Sequence, residues 1–291
     1  VVMNVPDGNT VSAAEHTLAM ILALSRNIHV GHLTLSDGIW DRHKLTGTEL
    51  QGKVLGVVGL GKIGREVIDR ALSFNIKILG FDPYVHQDLF DPKEVEIVTL
   101  DDLTKRSDYI TIHVPKNKST ENLFDLARIK MMKKTARIVN VARGGIINEN
   151  DLSEALNSSL IAGAAIDVFE NEPLDQNSKL LDSKNILLTP HLGASTFEAK
   201  EGVSLSICKQ LIDYFNENKL TNAINIPIVD SKLIKKMGPF YKLSEKLGSM
   251  VAQIADSPIK NVDVKCFGEA KDSKSISLLF IKGLLSHVTD N

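Results

Sequence analysis

The sequence predicts an α/β fold: a doubly wound parallel sheet, followed by a smaller, partial α/β unit. Two observations support this prediction. Short apolar runs without polar alternation recur along the chain, as in strands that are covered on both faces, and amphipathic helical segments separate them. In addition, a glycine-rich turn at residues 59–64 directly follows the apolar run 54–58, where a strand would pass into a helix.

Helical and apolar patterns place the elements of the first unit. Residues 1–5 are typical of the end of a buried strand, and a helix of about four turns begins at Thr10. Ser12 and Glu15 have the spacing of a capping box that fixes this start. Continuous apolar runs predict strands at residues 54–58, 76–81, 109–114, 137–141, 162–169 and 185–189. Periodic apolar residues predict helices at residues 63–74, 123–134, 149–157 and 195–218.

The composition changes after residue 221. The pattern there predicts an extended segment, a helix, a strand and a final helix, at residues 224–229, 241–254, 262–267 and 276–285. The last helix has no further strand after it to pair, and the chain opens on Val1 instead of methionine. We therefore expect the sequence to be a fragment that is cut at both ends.

Composition and charge exclude several classes of function. The chain has 291 residues, of which 43% are apolar and 24% charged, which suits about two globular domains. Its 34 basic and 36 acidic residues give a formal charge of -2, so net charge favours neither a nucleic-acid partner nor a membrane surface. The longest apolar run, residues 18–24, is far shorter than the roughly 18 residues of a membrane span.

Cysteine and histidine spacings indicate neither a disulfide framework nor a metal site. The two cysteines, Cys208 and Cys266, are too few for such a framework and favour a reducing compartment, so we expect a cytoplasmic location. His29 and His32 are three residues apart but lack an obvious third ligand. Both are expected on a solvated helical face.

The glycine turn has the pattern G-x-G-x-x-G, and its context between strand and helix makes it a dinucleotide-binding fingerprint. Gly59 permits the tight turn, Gly61 lets the backbone approach a pyrophosphate, and Gly64 lets helix and strand pack closely. The helix N-terminus supplies N–H groups and positive potential for the phosphates. A glycine-rich turn without a ligand is the less favoured interpretation.

An acidic residue at the end of the next strand completes this fingerprint. Asp82 lies 23 residues after Gly59, close to the usual spacing of about 20. Its carboxylate would accept hydrogen bonds from the ribose hydroxyls and repel a 2′-phosphate, so NAD is favoured over NADP. Without the glycines, Asp82 would be read as a turn residue before Pro83.

Three charged or titratable residues follow three of the predicted strands: Arg143, Glu172 and His191. Ligands of a doubly wound sheet bind outside the carboxyl ends of its strands. A histidine suits proton transfer, a glutamate would orient it and stabilise the imidazolium, and an arginine matches a carboxylate. Singly, these residues fit an ion pair, a turn and a strand end; together they favour hydride transfer from a 2-hydroxy acid.

At these residues the sequence resembles the D-isomer-specific 2-hydroxyacid dehydrogenases, and the long-form D-3-phosphoglycerate dehydrogenases in particular. The resemblance covers essentially the whole chain and is carried by an ordered series of motifs. The motifs are Pro6 to Thr10, Ser12 to Thr17, Gly59 to Gly64, His113 to Pro115, Asn140 to Gly145, Gly163 to Phe169, Glu172-Pro173 and Pro190 to Thr196.

The resemblance implies a Rossmann domain that binds NAD and roles for residues of these motifs. Arg143, Glu172 and His191 would form the catalytic set, with His191 as the acid/base and with Arg143 and His191 on the substrate. Asn9 would face the substrate phosphate, and Asp167 the nicotinamide carboxamide. The expected cofactor contacts are Gly59, Gly61, Lys62, Ile63, Gly64, Asp82, Val114, Val141, Ala142, Arg143, Asp167, His191, Gly193 and Ala194.

The resemblance also implies a division into domains. Residues 1–5 would be a remnant of a discontinuous substrate domain, whose preceding part is missing. Residues 6–194 would be the NAD-binding domain, and its helical region up to about Leu45 the place where such enzymes form a homodimer or homotetramer. Residues 195–221 would return to the substrate domain, and residues 222–291 would begin an intervening domain.

Several functions remain open at this point. The leading hypothesis is oxidation of 3-phospho-D-glycerate with NAD, the entry step to serine. A glyoxylate/hydroxypyruvate reductase or another D-2-hydroxyacid dehydrogenase is the alternative, and formate dehydrogenase is disfavoured because its relatives pair the histidine with glutamine. An NAD-sensing corepressor, which binds proteins, is the alternative of a different class. A further possibility is that the fragment itself binds NAD but is inactive.

Overall fold

The computed structural model describes residues 1–217, 219–225, 231–255, 259, 261–268 and 274–286, and only the backbone of residues 231–237, 274 and 275. The chain divides into two compact units. One consists of Asp7–Val203, and the other joins Val1–Pro6 to Ser204–Asn291. Among the described residues, no helix combines the length and the apolar character needed to cross a membrane.

The first unit is built on a seven-stranded sheet in which all pairs are parallel, in the order β3-β2-β1-β4-β5-β6-β7. The strands are β1 Val54–Val58, β2 Lys77–Phe81, β3 Val95–Ile97, β4 Tyr109–Ile112, β5 Arg137–Asn140, β6 Gly163–Ile166 and β7 Ile186–Leu188. The helices that begin in this unit are α1 Thr10–Ser25, α2 Ile28–Ser36, α3 Lys62–Leu72, α4 Leu100–Arg106, α5 Leu126–Ile129, α6 Glu149–Asn157 and α7 Phe197–Glu217. The predicted doubly wound fold is confirmed.

Apolar clusters bury both faces of the sheet, which explains why its strands lack polar alternation. Successive strand residues point to opposite faces. In β4, Tyr109 packs in the cluster that contains α1 and α3, whereas Ile110 and Ile112 pack in the cluster that contains α6. All three side chains are at most 1% exposed.

The register of the sheet brings the carboxyl ends of its central strands level. Val58 at the end of β1 pairs with Phe81 of β2 on one side and with Ile112 of β4 on the other. On the far side of β5, Ile166 pairs with Leu188. The chain order reverses between β1 and β4, where a doubly wound sheet opens a crevice for ligands.

Helix α1 begins at the predicted residue, but the predicted capping box is wrong. Asn9 is the N-cap residue, and no side chain from the described residues caps the helix. Ser12 lies inside the first turn, and its hydroxyl is 2.8 Å from that of Thr196. The spacing of Ser12 and Glu15 alone could not show that this hydroxyl has a distant partner.

Three differences from the sequence predictions arise in short elements. Strand β3 and helix α4 were not predicted, because three residues of β3 and seven of α4 are too few for a periodic signal. The helix expected at residues 123–134 is reduced to α5. Its continuation tightens, with the N–H groups of Met131 and Met132 bonded three residues back to Arg128 and Ile129.

The second unit contains α8 Ser231–Ile254 and α9 Lys274–Leu285. Helix α8 begins well before the predicted residue 241 because it continues through Pro239, which normally ends a helix. In the described part of this unit, residues 262–267 form no strand, so that prediction is wrong; no described strand lies there to pair with them. The extended segment predicted at residues 224–229 lies mostly outside the described residues.

Residues 1–5 do not form the buried strand that the sequence predicted. Val1 and Val2 are each about half exposed, at 51% and 50%. Met3 makes only an isolated antiparallel bridge to Ala223 within the second unit. A single bridge provides neither the ladder nor the covering layer that buries a strand.

Candidate active site

The turn between β1 and α3 can be made only with glycine. Gly59 has a φ of 97°, a conformation that side-chain-bearing residues rarely adopt. A Cβ atom there would lie 2.5 Å from the carbonyl oxygen of His113, and a Cβ atom at Gly64 would overlap the carbonyl oxygen of Gly59. The turn is therefore packed tightly against β4 and α3.

Gly61 differs from these two glycines because it faces open space. A Cβ atom at Gly61 would meet no described atom within 4 Å. Gly61 is the N-cap residue of α3, and no described side chain caps this helix. The start of α3 is thus open beside Gly61, which fits the pyrophosphate of a dinucleotide.

Asp82 follows β2 and contacts the glycine turn directly. Its Oδ2 accepts a hydrogen bond from the N–H of Leu60 at 3.0 Å, and its Oδ1 accepts one from the N–H of Tyr84 at 2.9 Å. A carboxylate accepts more than two hydrogen bonds, so it can also receive ribose hydroxyls. The structure adds a role that the sequence did not predict, since Asp82 also holds the turn in place.

Lys62 and Asn9, both selected from the sequence, are associated with the segment that leads into α1. Lys62 begins α3 and forms an ion pair with Asp7. Asn9 precedes α1 and lines a cleft of about 200 Å³ together with Ile63. The lysine therefore already has an anionic partner, which a cofactor phosphate would have to share or replace.

His191 and Glu172, which follow β7 and β6, form a hydrogen-bonded pair. The Nδ1 of His191 is 2.7 Å from Oε2 of Glu172. The other carboxylate oxygen, Oε1, accepts a hydrogen bond from the N–H of Phe169 at 3.0 Å. One oxygen thus fixes the glutamate to its own loop, while the second orients the imidazole.

The contacts of Glu172 keep its carboxyl group ionised. Partial burial by itself would raise the pKa of Glu172. The hydrogen bonds from His191 and from the N–H of Phe169 outweigh this effect, so the pKa lies below its usual value. At neutral pH the pair therefore has an anionic acceptor beside the imidazole.

The backbone of His191 is in the left-handed region, with φ at 54°, which is strained by about 1–2 kcal/mol for a residue with a side chain. Two backbone hydrogen bonds hold it there. Its N–H donates to the carbonyl oxygens of Asp167 at 2.9 Å and Thr189 at 3.0 Å. Strain of this kind persists only where surrounding contacts fix it.

Asp167, at the end of β6, is fully buried and anchors the turn of His191. Its Oδ1 accepts a hydrogen bond from the N–H of Leu192 at 2.7 Å and from the hydroxyl of Thr189 at 2.6 Å, and its Oδ2 accepts one from the N–H of Gly193 at 2.8 Å. Burial alone would raise the pKa of Asp167, but these bonds and one from His16 lower it below the ordinary 3.8.

Arg143 follows β5 in a loop that Asn140 holds. The Asn140 side chain donates to the carbonyl oxygen of Arg143 at 2.9 Å and accepts from the N–H of Ala142 at 3.0 Å. Arg143 itself is exposed, and its guanidinium donates to the carbonyl oxygen of Ala142 at 2.6 Å. At the next residue, Gly144, a Cβ atom would overlap the backbone of Phe169, so the loops after β5 and β6 are in contact.

Two adjoining clefts bring the selected residues together. The first, of about 200 Å³, has Arg143 and His191 in its wall, and a second, of about 290 Å³, adds Glu172 to these two. The first cleft is also lined by Asn9, Ile63, Val114, Val141, Ala142, Gly193 and Ala194. Gly59, Gly61, Lys62, Gly64, Asp82 and Asp167 do not line either of them.

Several residues of the site were not selected from the sequence. His113 lines the first cleft, and burial lowers its pKa to about 3, so it is neutral; its Nε2 is 2.9 Å from the hydroxyl of Thr111. Lys116 lines the second cleft and lies over Gly145. His16 reaches Asp167 from α1. His113 lies within the predicted strand 109–114 and, like His16, within a motif of the family resemblance, whereas no sequence pattern indicated Lys116.

A doubly wound sheet with a glycine turn at its crevice and a histidine–glutamate pair at neighbouring strand ends defines a dinucleotide-dependent oxidoreductase domain. The chain belongs to the D-isomer specific 2-hydroxyacid dehydrogenase family, whose NAD binding domain matches residues 18–193. A second match, to the D-3-phosphoglycerate dehydrogenase intervening domain, covers residues 236–291. The cofactor of the first unit is therefore NAD.

Two curated relatives of this chain are D-3-phosphoglycerate dehydrogenases. D-3-phosphoglycerate dehydrogenase of Synechocystis sp. is 42% identical over 289 residues, which cover 98% of this chain and 52% of that protein. For the enzyme of Methanocaldococcus jannaschii the values are 40% over 291 residues, 99% and 55%. The chain thus spans about half the length of the curated relatives it matches.

A formate dehydrogenase of Staphylococcus aureus, solved in complex with NAD, has a similar fold. It is 35% identical, with a TM-score of 0.69, and the match covers 74% of this chain and 65% of that chain. This similarity shows the fold of the family. It does not favour formate over phosphoglycerate as the substrate.

Proposed function

We propose that the protein carrying this chain oxidises 3-phospho-D-glycerate to 3-phosphohydroxypyruvate with NAD, as the entry step to serine. The hydrogen bond between His191 and Glu172 is the observation that carries the chemistry. The choice of substrate is supported by the intervening-domain match at residues 236–291 and by the relatives named D-3-phosphoglycerate dehydrogenase.

His191 is the proposed acid/base. Because its Nδ1 faces Glu172 at 2.7 Å, the neutral ring carries its proton on Nδ1 and keeps its lone pair on Nε2. Nε2 can then take the proton of the substrate hydroxyl. The imidazolium that results is stabilised by the ionised Glu172. NAD supplies the acceptor for the hydride that leaves C2.

Arg143 is the proposed partner of the substrate carboxylate. Its guanidinium is exposed at the wall that both clefts share with His191, and its planar fork matches a carboxylate. Held there, the acid would present its C2 hydroxyl to His191. Asn9, which also lines the first cleft, is proposed to face the substrate phosphate.

The remaining selected residues are proposed to bind NAD. The N–H groups at Gly61 and the start of α3, with Lys62, would receive the pyrophosphate, and Asp82 would accept the ribose hydroxyls. Asp167 would hold the nicotinamide carboxamide indirectly, through the turn at Leu192 and Gly193 that its buried carboxylate anchors. The proposed contacts along the cleft are Ile63, Val114, Val141, Ala142, Gly193 and Ala194.

The domain boundaries inferred from the sequence also remain proposals. Residues 6–194 would be the NAD-binding domain, residues 1–5 and 195–221 would belong to the substrate domain, and residues 222–291 would begin the intervening domain. The two cysteines, which are unpaired in the structure, support the proposed location in the cytoplasm.

A homo-oligomer is proposed through the helical region after α1. Large apolar side chains are exposed on α2 and in the segment that follows it: Ile28, Leu33, Leu35, Ile39 and Trp40. Both ring nitrogens of His29 are buried, and burial lowers its pKa, so the solvated position that the sequence predicted for this histidine is wrong. A second subunit on this face would cover the apolar side chains.

The proposed function is tested by initial rates of NADH formation by the full-length protein with 3-phosphoglycerate, D-lactate, glycerate and 2-hydroxyglutarate. We expect the highest kcat/KM with 3-phosphoglycerate. A higher value with another acid would contradict the substrate and favour the alternative dehydrogenases. Tight NADH binding without turnover of any acid would favour the binding-protein interpretation. The 291-residue chain, assayed beside it, tests whether this part alone is active.

A further inference from the structure

We propose that His16 is a positioning residue for His191: by its hydrogen bond to the buried carboxylate of Asp167, it holds the turn that carries the acid/base. This inference deepens the proposed function and rests on it, because it concerns the group that would take the substrate proton. His16 does not line either cleft, so its effect is indirect.

His16 reaches Asp167 from the middle of α1. Its Nε2 is 3.2 Å from Oδ1 of Asp167 and 3.3 Å from the hydroxyl oxygen of Thr189. The hydroxyl of Thr189 donates its proton to the same Oδ1 at 2.6 Å. The Nε2–H of His16 is thus a second side-chain donor at this oxygen. The imidazole is 18% exposed, whereas the carboxylate of Asp167 is fully buried.

The other contacts of Asp167 go to the turn that carries His191. Its carboxylate accepts the N–H groups of Leu192 and Gly193 at 2.7 and 2.8 Å, and its carbonyl oxygen accepts that of His191 at 2.9 Å. The turn has no glycine at its left-handed residue, since His191 itself has a φ of 54°. It therefore depends on an ionised Asp167 in a fixed position.

A buried carboxylate needs its hydrogen-bond donors, because it has lost the water that would otherwise solvate it. When the donor on His16 is removed, Asp167 is expected to shift or to take up a proton. Either change weakens the hold on Leu192 and Gly193. The imidazole of His191 would then leave its place beside Glu172, and a displacement of about 1 Å at a reacting group costs on the order of 100-fold in rate.

The test uses three variants of His16 in the full-length protein. His16→Gln keeps an N–H donor near the position of Nε2, His16→Asn is too short to bring its amide there, and His16→Phe keeps the ring without a donor. His86→Gln is the matched control, since His86 is an exposed histidine outside both clefts and outside α2. The measurements are kcat and KM with 3-phosphoglycerate, and hydrogen exchange at the amides of Leu192 and Gly193.

We expect kcat to fall on the order of tenfold or more in His16→Phe and His16→Asn, with a smaller change in KM, and to stay near wild type in His16→Gln and the control. Amide exchange at Leu192 and Gly193 should be faster in the first two variants only. Equal kcat in the Phe and Gln variants would overturn the inference. If His16→Phe does not fold, the comparison of Asn with Gln decides in the same way.

The exchange measurement separates this inference from the proposed function. A wild-type protein that oxidises no 2-hydroxy acid would refute the function and leave the role of His16 in the turn to be decided by exchange. Faster exchange in His16→Asn than in His16→Gln would then support the anchoring of the turn, and equal exchange would overturn it.

Discussion

At the scale of single residues, the candidate site depends on carboxylates that are held by backbone N–H groups. Glu172 is fixed by the N–H of Phe169 and in turn orients His191. Asp167 holds the same histidine from the other direction, through the turn at Leu192 and Gly193. One carboxylate therefore orients the imidazole ring of His191, and the other fixes the backbone turn that carries it.

The turn contacts of Asp167 give a prediction for stability against pH. Its folded-state pKa lies below the ordinary 3.8, so the unfolded chain binds the proton more readily and stability rises with pH through this range. The contribution is present above about pH 5 and is lost as the pH falls through the folded pKa.

Asp167→Asn removes this charge. We expect a free energy of unfolding lower by about 1–3 kcal/mol at neutral pH, and a flatter pH dependence between about pH 3 and 5 than in wild type. Urea unfolding at a series of pH values measures both. Curves for wild type and variant that run parallel down to acid pH would contradict the role assigned to this carboxylate.

At the scale of elements, the glycines of the turn between β1 and α3 meet two different requirements: one is needed for packing and the other for the approach of a ligand. Gly64 is needed for packing, because a Cβ atom there would overlap the carbonyl oxygen of Gly59. Gly61 is needed only if a ligand approaches, because a Cβ atom there meets no described atom within 4 Å. The structure therefore predicts a loss of stability with alanine at Gly64 and a loss of cofactor affinity with alanine at Gly61.

Gly64→Ala is expected to lower the free energy of unfolding by about 1–3 kcal/mol, as overpacking does. Gly61→Ala should leave stability within about 0.5 kcal/mol of wild type and weaken NADH binding, since its methyl group would occupy the approach of the pyrophosphate. Thermal unfolding and NADH fluorescence titration measure the two effects. Unchanged NADH affinity in Gly61→Ala would show that the cofactor does not approach at this turn.

Much of this fold could be predicted because burial on both faces produces continuous apolar runs, as in β1 and β4. The short strand β3 carries no such signal in three residues. The prediction of a strand at residues 262–267 was wrong because a sequence pattern does not show whether a neighbouring strand is present. The predicted start of α8 was too late because Pro239 lies inside this helix, and a proline normally ends a helix.

The residues of the candidate site also divide into those that the sequence could predict and those that it could not. Arg143, Glu172 and His191 could be selected because parallel strands must bring their carboxyl ends to one edge, and the structure places all three at one cleft. His16 could not be selected, since its partner Asp167 lies 151 residues away in the chain. Nor does any local pattern show that Asp82 also accepts the N–H of Leu60.

At the scale of the whole molecule, the proposed oligomer depends on an apolar face rather than on the cofactor site. Leu33 on α2 is 62% exposed. Leu89, which follows β2 in the same unit, is 59% exposed and lies outside the proposed face, so it is a matched control. A lysine in the centre of an apolar interface would bury a charge without a partner.

Leu33→Lys is therefore expected to shift the full-length protein towards smaller oligomers, whereas Leu89→Lys is not. Sedimentation velocity over a range of protein concentrations measures the distribution. A Leu33→Lys protein that sediments like wild type at every concentration would place the interface elsewhere. The comparison does not depend on catalytic activity, because both substitutions lie away from the clefts.

The account as a whole depends on His191 as the acid/base of an NAD-dependent oxidation, and His191→Gln tests it most directly. In the full-length protein with 3-phosphoglycerate, kcat should fall by about 10²–10⁴-fold, the usual contribution of general acid–base catalysis. The dissociation constant of NADH, measured by fluorescence titration, should change by no more than about threefold. Retained turnover, or the loss of turnover and NADH binding together, would contradict the account.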